Sequence, residues 1–322
     1  MKVIDQVIQN DFALYHADCV DVAMSLPDNS VDFSVYSPPF ESLYTYSNSE
    51  RDMGNSRDSK QFWTHYRYLI AETARVIKPG RLVAIHCMNL PTSKAHDGYI
   101  GIRDFRGEII RAFQKEGMIY HSEVCIWKDP VLAMQRTKAL GLLHKQIKKD
   151  SAMSRQGIAD YIVVIRKPGA NEKPVSGEFK YYMGDDPGHG FRPIERNDGS
   201  VMYVPSGDST SIDVWQRYAS PVWMDINPSD TLQYRTARDS DDERHIAPLQ
   251  IQVIERCMQL WSMPDDVVWS PFTGIGSEGY VALKTGRKFI GTELKKSYFD
   301  LAHRNLNDAK KTQYDMFGEA VA

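Results

Sequence analysis

The residues that could do chemistry in this sequence form two groups far apart in the chain. The first is the tetrapeptide Ser37-Pro38-Pro39-Phe40, which follows the apolar run 31–36. Two consecutive prolines fix φ and lack backbone donors, so the preceding strand must end there in a stiff turn. Such a turn presents carbonyl oxygens, a hydroxyl and an aromatic face, which can together accept hydrogen bonds from an NH2 group and stack on a flat ring. Taken alone, the tetrapeptide is more typical of a plain strand-ending turn than of a catalytic site.

The second group is a glycine-rich turn that follows a β-rich segment starting at Val267. Gly274, Gly276 and Gly279 fit the pattern G-x-G-x-x-G, which lets a nucleotide-like ligand approach the backbone at a helix N-terminus. A second short strand ends at Glu293, about 20 residues past the first glycine, where a carboxylate can accept hydrogen bonds from ribose hydroxyls. Together these features predict a site for an adenosine-containing cofactor.

Alternating strand-like and helix-like segments around these groups predict an α/β sheet. The predicted strands are 12–16, 31–36, 81–86, 120–127, 161–166 and 288–292, and the predicted helices are 61–77, 105–116, 249–261 and one that Asp18 caps. Only about 50 residues follow the glycine loop, so most strands of the sheet must come from the N-terminal half. The sequence therefore predicts a rotated order of units, unlike that of an ordinary nicotinamide dehydrogenase.

Two regions carry candidate contacts to a nucleic acid. Segment 135–156 is strongly basic, which is typical of either a solvated helix face or a phosphate-contacting element. Segment 167–242 is irregular and rich in Gly, Pro, Asp, Tyr and Trp, and we interpret it as an inserted substrate domain. Its aromatic and basic residues could form a small core or contact bases and phosphates. The candidate DNA-binding residues of the two regions are Arg136, Lys138, Lys145, Lys148, Lys149, Arg217 and Arg235.

The whole-chain composition sets limits on partners and location. The 322 residues carry a formal net charge of -3, so any nucleic-acid contact must come from local patches rather than overall charge. The four cysteines are widely spaced and no histidine pattern suggests a metal site, so we expect reduced thiols and no metal. The sequence lacks an apolar signal core and a membrane-length apolar run, and we expect a cytoplasmic protein that makes no membrane contact.

A [DNS]-P-P-[YFW] turn, a variable middle and an F-x-G-x-G loop together resemble the beta group of the amino-group DNA methyltransferases. These enzymes use S-adenosyl-L-methionine to methylate N6 of adenine or N4 of cytosine. The resemblance implies a Rossmann-like, doubly wound methyltransferase sheet with permuted motif order. It further implies a catalytic half at 1–166, an inserted irregular target-recognition region at 167–242 and a cofactor-binding half at 243–322.

The resemblance also implies roles for single residues. The implied catalytic residues are Ser37, Pro38, Pro39 and Phe40, and the implied cofactor-binding residues are Asp18, His245, Ile246, Phe272, Thr273, Gly274, Gly276, Ser277 and Glu293. Two positions depart from the family pattern. Ser270 stands where the family often has Asp, so one carboxylate near the cofactor is missing, and Ile246 replaces the usual Pro. Neither departure removes a group that the chemistry needs.

The implied reaction is methyl transfer to an exocyclic amine, a poor nucleophile because its lone pair is delocalised into the ring. The Pro38 carbonyl and the Ser37 hydroxyl could accept its two N–H bonds, and positioning could then suffice without a strong general base. The base must be flipped out of the duplex, and Phe40 is the natural stacking platform. Ser-Pro-Pro turns are commoner among cytosine-N4 members of the family, so Ser37 favours cytosine N4, with adenine N6 as the alternative.

Other functions remain open from the sequence. The G-x-G-x-x-G pattern with Glu293 is compatible with a nicotinamide oxidoreductase, and the same turn and loop occur in RNA or small-molecule methyltransferases. A DNA-binding regulator without catalysis is a third alternative. Double-stranded DNA is the expected partner. The recognition sequence, the formation of a homodimer and the presence of a cognate restriction endonuclease are not readable from the sequence.

Overall fold

The computed structural model describes residues 2–41, 51–95, 97–131, 144–153, 156–177, 191–195, 198–205, 210–234 and 248–311. The strands are β1 (Val3–Ile8), β2 (Phe12–Ala17), β3 (Val31–Tyr36), β4 (Ile77–Met88), β5 (Leu90–Pro91), β6 (Ile102–Arg103), β7 (Ile119–Ile126), β8 (Asp160–Arg166), β9 (Phe191–Glu195), β10 (Val201–Pro205), β11 (Val222–Trp223), β12 (Val267–Ser270) and β13 (Lys288–Glu293). The helices are α1 (Cys19–Ser25), α2 (Ser59–Val76), α3 (Phe105–Lys115), α4 (His144–Ile147), α5 (Thr210–Tyr218), α6 (Ile251–Trp261), α7 (Ser277–Lys284) and α8 (Lys296–Lys311), with 3-10 turns at Met53–Asn55 and Ser151–Met153.

The main sheet has nine strands within these ranges, in the order β1-β2-β13-β12-β3-β4-β8-β7-β11. Its centre, from β2 to β4, consists of five parallel strands, and β8 runs antiparallel to both of its neighbours. The last two strands of the chain, β12 and β13, lie between two early strands, β2 and β3. This arrangement confirms the predicted rotated order of the units.

The chain reverses its direction of travel across the sheet between β12 and β3. From β12 it passes through α7 to β13 on one side, whereas from β3 it passes through α2 to β4 on the other. Ligands of open α/β sheets bind at such a switch point, outside the carboxyl ends of the strands. The two chemical groups found in the sequence directly follow these two strands.

The sheet is covered on both faces by helices, as its apolar pattern requires. Successive residues of β8 alternate between two cores: Ile162 and Val164 pack with α6, α7 and α8, whereas Val163 and Ile165 pack with α1, α2 and α3. All six residues of β3 are buried, which is typical of a central parallel strand covered on both faces.

Polar contacts also join β3 to β12 across the switch point. The Ser34 hydroxyl donates to the carbonyl of Trp269 at 2.8 Å, and the carboxylate of Asp32 accepts from the backbone N–H of Val267 at 3.0 Å. Arg81 donates to the Asp32 carbonyl and pairs with Asp266, so the amino ends of β3, β4 and β12 are fastened together. Buried polar groups with partners at these distances fix the register of the two halves.

Part of the predicted insert differs from expectation. Strand β11 pairs in parallel with β7 at the edge of the main sheet, and Trp223 is 1% exposed within the core shared with α6. Tyr218 at the end of α5 is equally buried. The stretch from α5 to β11 therefore packs into the main core, because its large aromatic side chains complete the apolar surface beside β7. No helix in the described part of the chain is long and apolar enough to cross a membrane.

Candidate active site

A cavity of about 810 Å³ opens at the carboxyl ends of the central strands. The turn after β3 forms one wall with Ser37, Pro38, Pro39 and Phe40, and the loop after β12 with the end of β13 forms another wall. The structure thus brings together two groups that lie more than 230 residues apart, as the switch point requires.

The glycine loop owes its shape to backbone conformations that suit glycine. Gly274 has φ +54° and Gly276 has φ +91°, and α7 begins directly after Gly276. A Cβ at Gly276 would lie 2.8 Å from Leu306, and one at Gly279 would lie 2.6 Å from the Phe289 ring. The absence of a side chain at these two glycines therefore allows α7 to pack against its neighbours. A Cβ at Gly274 would meet nothing within 4 Å. The first glycine therefore leaves room for a ligand, and the other two let α7 pack closely.

Glu293 connects the end of β13 to the glycine loop. Its two carboxylate oxygens accept from the backbone N–H groups of Gly274 and Lys295, each at 2.8 Å. Burial raises the pKa of Glu293 to about 7, although these two hydrogen bonds act in the opposite direction. A carboxyl so placed lines the cavity with acceptor capacity to spare.

Glu278, in the first turn of α7, is a second buried acid in the cavity wall and was missed by the sequence reasoning. It is 4% exposed, and burial raises its pKa to about 8, with a further contribution from the charge of Glu293. Two buried acids with raised pKa values favour a ligand with cationic groups. The signal was readable, since Glu278 lies within the G-x-G-x-x-G pattern.

Asp18 is the N-cap of α1, as predicted, and also lines the cavity. Its carboxylate accepts from the backbone N–H of Val20 at 2.8 Å, and Arg51 approaches it to 3.8 Å. The cap fixes the orientation of the carboxylate. Phe272, Thr273 and Ser277 also lie in the cavity wall. Gly276 shapes the loop without lining the cavity.

Ser37 contacts a group of polar residues that the sequence reasoning missed. Its hydroxyl lies 3.0 Å from Nδ1 of His86, and Nε2 of His86 lies 3.1 Å from the carboxylate of Asp160, which also pairs with Lys128. Burial alone would raise the pKa of Asp160, but Lys128 and His86 lower it to about 2. All four residues line the cavity.

A signal for His86 was present, since it ends a predicted strand and parallel neighbours end at the same edge of a sheet. Asp160 starts β8, which is antiparallel to β4, so its amino end reaches the same edge. That orientation was not readable from the sequence.

Phe40 borders the cavity beside these residues. Its ring centroid lies 6.1 Å from that of Phe105 in an edge-on arrangement and 6.3 Å from that of His86. Contacts of this kind hold an aromatic ring in place while one side of it remains available.

A further wall comes from the segment between β11 and α6, whose aromatic residue Tyr234 the sequence analysis interpreted as part of a small core or as a base contact. Leu232 and Tyr234 pack against Ile275, Tyr298 and Leu301 and line the cavity next to the glycine loop. The segment lacks helical or strand periodicity, so its placement had no sequence signal.

The candidate DNA-binding residues are placed unevenly. Several candidates lie outside the described residues: Arg136, Lys138, Arg235 and the side chain of Lys145 among the DNA-binding candidates, and His245 and Ile246 among the cofactor candidates. Lys148 and Lys149 are exposed. Arg217 is only 8% exposed and pairs with Asp225 at 2.8 Å, and Asp225 also pairs with Arg256. The guanidinium of Arg217 thus lies in a buried ion pair, and its contact with DNA stays a prediction.

Comparison with known proteins identifies the family. The model of a family described as "DNA methylase", N6_N4_Mtase, matches residues 31–304, which include both walls of the cavity. The chain belongs to this family. It is an S-adenosyl-L-methionine-dependent N4/N6 DNA methyltransferase.

Relatives and solved structures agree with this assignment. This DNA methylase is 24% identical over 296 residues to the type II methyltransferase M.BglII of Bacillus subtilis, covering 91% of this chain and 68% of the relative. It is 22% identical to the orphan methyltransferase M.BamHII of Bacillus amyloliquefaciens over 295 residues, covering 88% and 91%. Its fold is similar to that of TTHA0409 from Thermus thermophilus complexed with S-adenosyl-L-methionine (TM-score 0.61, 21% identity, 92% and 93% coverage). It is also similar to that of PvuII DNA methyltransferase (cytosine-N4-specific), with TM-score 0.61, 15% identity and 96% and 95% coverage.

Proposed function

We propose that this DNA methylase transfers a methyl group to N4 of a cytosine that is flipped out of duplex DNA. The observation that carries the proposal is that Ser37 lines the same cavity as the glycine loop and Glu293. A base held at the Pro-Pro turn and a cofactor held at the glycine loop would meet inside this one cavity.

The residues of the glycine-loop wall fit S-adenosyl-L-methionine. Glu293 would accept hydrogen bonds from the ribose hydroxyls, and the open space above Gly274 would admit the ligand close to the backbone. The buried acids Glu278 and Glu293 would face a ligand with cationic groups. When bound, the cofactor supplies an activated methyl group on a sulfonium sulfur.

The wall formed by the turn after β3 would orient the target amine. The hydroxyl of Ser37 and the carbonyl of Pro38 accept its two N–H bonds, which favours the pyramidal geometry of a nucleophilic nitrogen. Phe40 provides a face on which the flipped base stacks, worth roughly 1–3 kcal/mol. Holding the amine in line and within about 3–3.5 Å of the methyl carbon is the main requirement of the reaction.

One feature supports cytosine N4 over adenine N6. The first residue of the turn is the neutral Ser37, as is commoner among cytosine-N4 members of the family. The contact of the Ser37 hydroxyl with His86 positions an oxygen lone pair for the amine of either base.

The test is to incubate the protein with S-adenosyl-L-methionine and mixed-sequence duplex DNA, digest the DNA and analyse the nucleosides by mass spectrometry. We expect N4-methyldeoxycytidine from the wild type and none from Ser37→Ala, whose cofactor affinity should be unchanged by calorimetry. Ser122→Ala, a serine exposed to solvent in part on β7, is the matched control. N6-methyldeoxyadenosine would contradict the cytosine assignment, and full activity of Ser37→Ala would contradict the role of the turn.

A further inference from the structure

The amine that is methylated must also lose a proton, and the cavity contains a series of contacts suited to receive it. Ser37 Oγ lies 3.0 Å from His86 Nδ1, and His86 Nε2 lies 3.1 Å from Asp160 Oδ2. We propose that Ser37, His86 and Asp160 form a proton relay that removes this proton during methyl transfer. The relay rests on the proposed role of Ser37 as the acceptor of the target amine.

The neighbours of the imidazole determine its tautomer. Nε2 lies 3.1 Å from the carboxylate of Asp160, although the two groups are not aligned as a hydrogen bond. Because a carboxylate can only accept, its charge favours the tautomer of neutral His86 that carries the ring proton on Nε2. Nδ1 then carries the lone pair and accepts from the Ser37 hydroxyl. The Ser37 oxygen keeps its own lone pairs free for an N–H bond of the amine. Every donor in this series therefore points away from the base.

The proton balance follows directly. Once its nitrogen has gained a methyl group, the amine carries a positive charge and one proton in excess. Ser37 Oγ accepts that proton while its own hydroxyl proton passes to Nδ1 of His86, so Ser37 ends neutral. His86 becomes an imidazolium whose positive charge lies beside the Asp160 carboxylate, and the added proton leaves to solvent afterwards. Ser37 touches the substrate, whereas His86 and Asp160 act through it.

The charged groups around His86 support transfer of the proton toward its imidazole. His86 is 8% and Asp160 3% exposed, so their interaction is little weakened by solvent. The charged groups packed around the imidazole are Asp160 and, through it, Lys128, while the Phe40 ring covers another side. Lys128 keeps Asp160 ionised even at low pH, so the carboxylate is always available to stabilise an imidazolium.

The test is the pH dependence of single-turnover transfer of a labelled methyl group to mixed-sequence duplex DNA, from about pH 5.5 to 9. We expect the wild-type rate to fall at low pH as an imidazole gains a proton and loses its capacity to accept. His86→Gln should lower the rate roughly 100-fold or more and abolish this fall. Asp160→Asn should lower the rate less than His86→Gln does, because the imidazole can still accept the proton without a carboxylate beside it.

Two further readouts separate a relay from a structural role. Calorimetry should give all variants the cofactor affinity of the wild type, and thermal unfolding should show that they are folded. His303→Gln on α8, outside the cavity wall, is the matched histidine control. A wild-type rate for His86→Gln or Asp160→Asn, or a low-pH fall that persists in His86→Gln, would overturn the relay. N6-methyldeoxyadenosine as the product would overturn only the cytosine proposal, since the relay serves the amine of either base.

Discussion

The backbone N–H of Gly274 donates a hydrogen bond of 2.8 Å to the carboxylate of Glu293. The contact joins the loop after β12 to the end of the neighbouring strand β13, so the two predicted parts of the cofactor wall are held in a fixed relation. It also leaves lone pairs on the same carboxylate for ribose hydroxyls. A single side chain therefore shapes the loop and is available to the ligand.

Replacing Glu293 by alanine should weaken binding of S-adenosyl-L-methionine by about 10- to 100-fold. The variant loses hydrogen bonds to a charged group, each worth roughly 1.5–3 kcal/mol, and leaves the N–H of Gly274 without its partner. Calorimetric titration of the cofactor measures the change, with the exposed Glu172→Ala as control. Equal affinities of the two variants would contradict the assignment of Glu293.

The glycines of the loop should separate into two classes on substitution. Gly274→Asn should keep the fold, because asparagine tolerates a positive φ and the site is open, but its side chain should obstruct the cofactor. Gly279→Val should destabilise the protein by about 1–3 kcal/mol, because its Cβ would lie 2.6 Å from the Phe289 ring. Thermal unfolding and calorimetry together distinguish these effects. A midpoint of thermal unfolding for Gly274→Asn as low as that for Gly279→Val would contradict the separation of the glycines into two classes.

The cofactor-free protein should lose stability as pH rises from about 4.5 to 8. The folded pKa of Glu278 is about 8 and that of Glu293 about 7, both above the 4.5 of an unperturbed glutamate, so the folded state holds protons that the unfolded state releases. The stability that the two protonated carboxyls contribute is therefore complete below about pH 4.5 and is lost as the pH rises to about 8. Glu278→Gln should therefore raise the midpoint of thermal unfolding by several degrees at pH 8 and little at pH 4.5. A lower midpoint of thermal unfolding for Glu278→Gln than for the wild type at pH 8 would contradict the inferred direction of the pKa shift of Glu278.

Binding of S-adenosyl-L-methionine at about pH 7.5 should release protons from the same pair of acids. A cationic ligand lowers the pKa of nearby carboxyls, which at this pH are partly protonated in the free protein. Calorimetry in two buffers of different ionisation enthalpy measures the number of protons released. Glu278→Gln should reduce this number, and an unchanged number would place the cationic groups of the ligand away from Glu278.

Local sequence patterns predicted those parts of the site that depend on short-range chain geometry. The turn at Ser37 follows from two prolines after a strand, and the position of Glu293 follows from one strand-helix-strand unit. The rotated order of the sheet followed from the small number of residues after Gly276. Each of these inferences needed only the neighbouring residues and the rule that parallel strands end at one edge.

The remaining parts depend on tertiary packing that no local pattern contains. Asp160 reaches the cavity because β8 runs antiparallel to β4, and a strand's direction depends on long-range pairing. The burial of Arg217 was not readable either, because charge does not reveal burial and its partner Asp225 follows in an irregular stretch. Leu232 and Tyr234 line the cavity from a segment without periodicity.

The position of β12 and β13 in the chain has a consequence during synthesis on the ribosome. These two strands form the middle of the finished sheet, yet they are translated more than 230 residues after β3. At a translation rate of about 5–20 residues per second, the facing edges of β2 and β3 stay unpaired for on the order of 10–50 s. Unpaired strand edges can pair with other chains, so the nascent protein is exposed to such association until its last quarter emerges. For the same interval it has no methyl-transfer site and cannot modify the DNA of the cell that is making it.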